Sequence, residues 1–205
     1  MNAAAHDAVA IAREFALAGE ILSASPYGSG HINDTFKVDV RPEGGPRRYV
    51  LQRINHNVFR RPDELMANVE RVCAHAYAKL KAAGVPDADR RTLRLIPTKT
   101  DRAWHVDAAG NRWRCYHFIE GATGHDVVRS PEQAYAAAKA FGAFQALLAD
   151  LPGGRLHETI PDFHHTPARF ARFQAALAKD AHGRAALAVP EIAFALARAH
   201  EVGTV

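Results

Sequence analysis

Apolar residues recur at helical spacing at the start of the chain. Ala8, Ile11, Ala12 and Phe15 share one face of residues 5–18, and Gly19 marks a stop. The period then changes. Residues 20–26 read as a strand, and Tyr27 to Asp34 is a turn rich in small and polar residues. Thr35 to Val40 alternates apolar and polar positions, which predicts a second strand. Glu43-Gly44-Gly45-Pro46 reads as a hairpin loop into a third strand, Arg48 to Ile54. Pro62 sits at the first turn of a long helix over 62–82, with Leu65, Val69, Val72, Ala76 and Leu80 on one face and Gly84 ending it. Residues 92–98 predict a fourth strand. A hairpin follows, from Ala103 to Val106, around Asp107 to Asn111, into Arg112 to Ile119. Glu120 to Gly124 interrupts the pattern, and the boundary between two lobes is expected there: 1–121 and 122–205. Beyond it the periodicity is helical only. Ser130 caps a helix over 131–150 with Gln133 in the capping-box position, Thr166-Pro167 opens another to residue 178, and Pro190 a last one. This order predicts an α+β fold rather than alternating βαβ units.

Composition narrows the function classes. The 205 residues are 48% hydrophobic and 23% charged, which suits a globular chain and excludes a disordered tail or a collagen-like repeat. Lys and Arg number 26 against 22 Asp and Glu, a net charge of +4. The basic residues are dispersed apart from the pairs Arg47-Arg48, Arg60-Arg61 and Arg90-Arg91, so no nucleic-acid stripe is expected. A mild positive balance is compatible with an anionic small ligand such as a nucleotide. Cys73 and Cys115 lie far apart, which argues against a zinc site or disulfide framework and fits a reducing cytoplasm. No stretch approaches the ~18 apolar residues that span a bilayer, so no membrane partner is expected. Arg13 and Glu14 break the one short run that resembles a signal segment.

Four pieces of sequence carry possible chemistry. Gly28-Ser29-Gly30 lies between two strands. A dinucleotide loop needs a helix next, and a P-loop needs Gly-Lys-Ser/Thr; neither follows. What remains is an ordinary hairpin turn or a glycine-rich flap of the kind kinases fold over ATP phosphates. Val50-Leu51-Gln52-Arg53 has the shape of the kinase third strand, with Arg53 where a phosphate-holding Lys would stand. The alternative is a solvated strand arginine. A carboxylate on the following helix would orient that cation. Glu70 lies nearer the rim of the apolar face than Glu64, and both also read as surface charges. Finally, His117-Phe118-Ile119-Glu120 ends a strand before the helical region, where a two-lobed kinase meets adenine with backbone groups. A simple strand-end turn reads equally well there.

Longer strings carry a family resemblance. Gly30-His31-Ile32-Asn33-Asp34-Thr35, Val50-Leu51-Gln52-Arg53-Ile54-Asn55, Val58-Phe59 and Pro62-Asp63-Glu64-Leu65-Met66-Ala67-Asn68-Val69 resemble the N-acetylhexosamine kinases, within the aminoglycoside phosphotransferase and choline kinase superfamily. Glu158 to His164 resembles the same family, so the likeness runs from about 20 to 195. It implies a protein-kinase-like fold, ATP with Mg2+, and transfer of the γ-phosphoryl group to the anomeric hydroxyl of a sugar. His31 could reach the transferred phosphate or the sugar, or be an exposed turn histidine; the resemblance implies that it contacts the sugar. An aminoglycoside- or choline-type acceptor differs only in the pocket that selects it.

The family's catalytic loop, His-x-Asp-x-x-x-x-Asn, is the missing piece. The only His-x-Asp is His105-Val106-Asp107, with Arg112 where the Asn would stand, and it lies ahead of the hinge. Asp87-Ala88-Asp89 is a second unsuitable pair. The expectation is therefore a truncated or N-terminal portion, with metal ligands beyond residue 205 and no catalytic residue within it. The rival is a catalytically inactive module that binds nucleotide or a partner. Helices 131–150 and 167–178 are expected to expose apolar faces and to favour self-association. His157, Glu158, His164 and His165 match no zinc spacing and are read as surface residues.

Overall fold

A computed structural model describes residues 7–41 and 47–204. The hairpin loop expected at Glu43–Pro46 and the start of the first helix lie outside them. Among the described residues the fold is α+β, built on a six-stranded antiparallel sheet. Strands β1 (Glu20–Pro26), β2 (Asp34–Arg41) and β3 (Arg47–Arg53) form a meander. Helix α2 (Pro62–Ala82) and a short α3 (Ala88–Arg91) follow. Then come β4 (Leu95–Ile96), β5 (His105–Val106) and β6 (Arg112–His117). The order is β1-β2-β3-β6-β4, with β5 also on β6, so β6 is central and runs beside β3. Helices α4 (Pro131–Leu148), α5 (Thr166–Lys179) and α6 (Val189–Ala197) complete the chain.

The sheet is covered on both faces. One face carries Val38, Val40, Tyr49, Leu51, Ile96, Trp113 and Cys115, all buried against Ala8, Ala12 and Phe15. Helix α1 is only Ala8–Ala12, capped by Asp7, whose Oδ1 accepts from the Ala10 N–H. It stops short of the expected residue 18 because the backbone turns to join the sheet edge. The Ala16 N–H donates to the Pro97 carbonyl, and the Lys99 N–H to that of Glu14. The other face meets α2. Arg112 Nε reaches Asp63 at 2.8 Å, and Met66 is fully buried beside Arg114. The expected fourth strand at 92–98 shrinks to two residues, and Pro97 and Thr98 pair instead with Ala16 and Phe15.

The chain divides into two compact units, Met1–Thr159 and Ile160–Val205. In the first, α4 begins at the expected cap, with the Gln133 N–H donating to Ser130 Oγ. It leaves Tyr135, Phe141 and Phe144 exposed. In the second, His165 Nδ1 caps α5 by accepting from the Ala168 N–H, and Leu187 and Phe194 are exposed. Among the described residues no helix is long and apolar enough to cross a membrane.

Candidate functional site

Strand alternation creates a cleft on the α2 side of the sheet. Side chains at 50 and 52 of β3, and at 114 and 116 of β6, point away from the core shared by Leu51, Trp113 and Cys115. They line a cavity of about 530 Å³ with Tyr27 and the segment 117–124 that leaves β6. Val50, Tyr116 and Phe118 make much of its surface apolar. Tyr27 meets Phe118 edge-on with centroids 5.4 Å apart, so the end of β1 touches the segment after β6. Burial pushes the Tyr116 hydroxyl up to about 12, against the opposing pull of the Arg114 charge, and it stays neutral at physiological pH.

A polar row crosses this face. Gln52 Nε2 donates to Thr35 Oγ1 at 2.9 Å. Gln52 Oε1 accepts from Arg114 Nε at 3.0 Å and from Arg114 Nη2 at 2.6 Å. The register sets Thr35, Gln52 and Arg114 directly opposite one another across three strands. Arg53, the expected phosphate cation, does not belong to this row. It lies opposite Trp113 and Asp34, on the core face. Its Nε donates to Asp34 Oδ2 at 2.6 Å, and its Nη1 to Asn111 Oδ1 at 3.3 Å. Consecutive strand residues face opposite ways, so only one of Gln52 and Arg53 can enter the cleft. Sequence reasoning missed Arg114. The available signal was the alternation of Trp113 and Cys115, which sets Arg114 on the other face.

The loop between β1 and β2 holds Gly28, Ser29, Gly30 and His31. Gly28 has φ +85°, a left-handed conformation, and a Cβ at either glycine would meet nothing within 4 Å. Ser29 Oγ donates to Asp126 Oδ1 at 3.1 Å, tying the loop to the chain beyond the cleft. His31 is exposed, and among the described residues no hydrogen bond or ion pair holds it. The loop's end is fixed instead through Asn55, whose N–H donates to Asn33 Oδ1 and whose Nδ2 donates to the Ile32 carbonyl, both at 2.9 Å.

After β6 the backbone is partly committed. The His117 N–H donates to the Arg94 carbonyl, and the Phe118 N–H to the Arg48 carbonyl. Among the described residues no hydrogen bond engages the Ile119 N–H, beside the cavity. The Glu120 side chain is taken by Arg48 in a two-pronged ion pair, and Arg48 also lies 4.7 Å over the Phe118 ring. This clamp leaves only the backbone of Glu120 for a ligand. The imidazole of His117 packs beside Tyr49, and burial, then Arg94, lowers its pKa.

The expected carboxylates on α2 stand apart from Arg53. Glu70 is exposed and borders a second cavity of about 360 Å³ with Cys73, Tyr77 and Arg94. Among the described residues it forms no ion pair. Glu64 pairs with Arg61 at 3.0 Å. Asp34 of β2 supplies the carboxylate that holds Arg53, because antiparallel pairing sets it directly across.

Asp107 organises a turn. It accepts from the N–H groups of Ala109 and Asn111, and Trp113 Nε1 donates to it at 2.9 Å. Burial works to raise its carboxyl, but the bonds from Trp113 and Asn111 outweigh it and hold the pKa low. Asp89 pairs with Arg94 at 2.5 Å. Among the described residues no group of three or more His, Cys, Asp or Glu could hold a metal ion.

The strand order 1-2-3-6-4 thus sets an apolar cavity on the sheet face that carries Gln52 and Arg114, with the Ile119 N–H beside it. The family model described as APH, phosphotransferase enzyme family, matches residues 23–202. That span takes in both the sheet and the helices that follow, and the chain belongs to this phosphotransferase family.

Proposed function

We propose that the cleft binds ATP and that the chain serves transfer of its γ-phosphoryl group to a sugar hydroxyl, the anomeric hydroxyl of an N-acetylhexosamine. Adenine would lie between Val50, Tyr116 and Tyr27, with its polar edge at the backbone of 117–120. The phosphates would run beneath Gly28, Ser29 and Gly30, where the open space over the glycines admits close approach. The observation that carries this reading is the Ile119 N–H, uncommitted among the described residues, at the mouth of an apolar cavity that Tyr27, at the start of that loop, helps to line. His31, exposed on the loop, is the candidate for sugar contact. The acceptor rests on the hexosamine-kinase strings; an aminoglycoside or choline acceptor would use the same nucleotide cleft. The magnesium that the family implies finds no cluster of three or more His, Cys, Asp or Glu among the described residues.

A second reading is nucleotide binding without transfer. Calorimetry with ATP, followed by 31P NMR of ATP mixed with N-acetylhexosamines, an aminoglycoside or choline, separates the two. A sugar 1-phosphate supports transfer, and ATP binding with no phosphorylated product supports the second reading. Absence of ATP binding rejects both. If product forms, His31→Ala should change the kinetic constants for sugar and leave those for ATP unchanged. The exposed Tyr135, Phe141 and Phe144 support self-association, which a sedimentation series over tenfold dilution would reveal as a falling mean mass.

A further inference from the structure

We propose that Arg114, carried on β6, is the cation that meets the nucleotide phosphates, and that Gln52 is the positioning residue that holds its guanidinium open to the cleft. This rests on the nucleotide reading above.

The first argument is placement. Arg114 and Gln52 face each other in register and both line the cavity, whereas Arg53 faces the core. The second is orientation. Gln52 Nε2 is committed to Thr35, so its Oε1 must turn to Arg114, where it accepts from Nε and Nη2. That occupies one edge of the guanidinium. Among the described residues the far nitrogen, Nη1, has only the Met66 sulfur at 4.0 Å, so the Nη1–Nη2 end can still take two oxygens of a phosphate.

The third argument is charge. Arg48, Arg53, Arg94 and Arg112, all on or beside the sheet, are each paired with a carboxylate. Among the described residues Arg114 has no carboxylate within 4.0 Å. Its neighbours are neutral: Tyr116 in the cavity, with the Arg114 guanidinium 5.3 Å from its ring, and Cys73 of the second cavity, whose thiol burial pushes up. A half-buried guanidinium without a counter-charge is costly, and an anion in the cleft would compensate it.

Calorimetry on the full chain with ATP and with adenosine tests this, using Arg114→Gln and Gln52→Glu. Gln52→Glu keeps a side chain of the same length but places a carboxylate against Arg114, which should compete with phosphate. Each variant should lose about tenfold or more in ATP affinity, the scale of one charge-assisted contact, while adenosine affinity stays unchanged. Circular dichroism and thermal unfolding confirm the fold; if Arg114→Gln does not fold, Gln52→Glu carries the test. If the wild type binds ATP and a folded variant matches it, this inference is overturned and the nucleotide reading stands. A wild type that binds neither ligand overturns both.

Discussion

Gln52 and Arg53 are adjacent in sequence and serve opposite sides of one sheet. Arg53 is 22% exposed and Asp34 35%, so their ion pair is only partly shielded from water. Breaking a buried pair costs about 3–5 kcal/mol, and this exposure reduces the expectation for Arg53→Gln to about 1–2 kcal/mol. Denaturant unfolding should show that loss, and adding Asp34→Asn should restore part of it by removing the stranded carboxylate. ATP affinity should be unaffected. A tenfold loss of ATP affinity with unaltered stability would instead put Arg53 on the ligand. The sequence shows that Gln52 and Arg53 point opposite ways, yet not which of them enters the cleft. Val50 and Leu51 are both apolar because both faces of β3 are covered, one by the core and one by the cleft and α2. Only the position of Trp113 and Cys115 on the neighbouring strand decides it.

At the scale of elements, strong local signals located the boundaries. Helix α2 runs from Pro62 to Ala82 as its periodicity and its N-terminal proline predict, and β1 spans 20–26 as read. The failures are at α1 and β4, where long-range pairing of Phe15 and Ala16 with Pro97 and Thr98 overrode local preference. The glycine loop combines both kinds of information. Its position between β1 and β2 was legible, whereas the separate duties of its two glycines were not. Gly28 is left-handed, so Gly28→Ala should cost about 1 kcal/mol by thermal or denaturant unfolding. Gly30 has no such backbone requirement, and space surrounds its missing Cβ. Gly30→Ala should therefore leave stability unchanged and lower ATP affinity if phosphates approach there. A Gly30→Ala variant equal to wild type in calorimetry would remove that glycine from the site.

Across the whole molecule, the buried apolar residues run from Ala8 to Tyr116, and α4, α5 and α6 contain none among the described residues. Cooperative unfolding should therefore report the sheet. His117 closes that sheet's central strand, where burial first, and then the charge of Arg94, disfavours its protonated form. In the unfolded chain it titrates near the usual 6.5. Below that pH the unfolded state binds the proton more readily than the native state, so acidification pulls the equilibrium toward unfolding. The contribution is complete above about pH 6.5 and is lost progressively as the pH falls toward the lowered native value, levelling off below it. Denaturant midpoints measured from pH 7.5 to 5 should decline over that window. His117→Gln removes the titrating group and keeps a neutral polar side chain, so its midpoints should decline less over the same range. A variant whose midpoints track the wild type throughout would show that other groups set the acid sensitivity of the sheet.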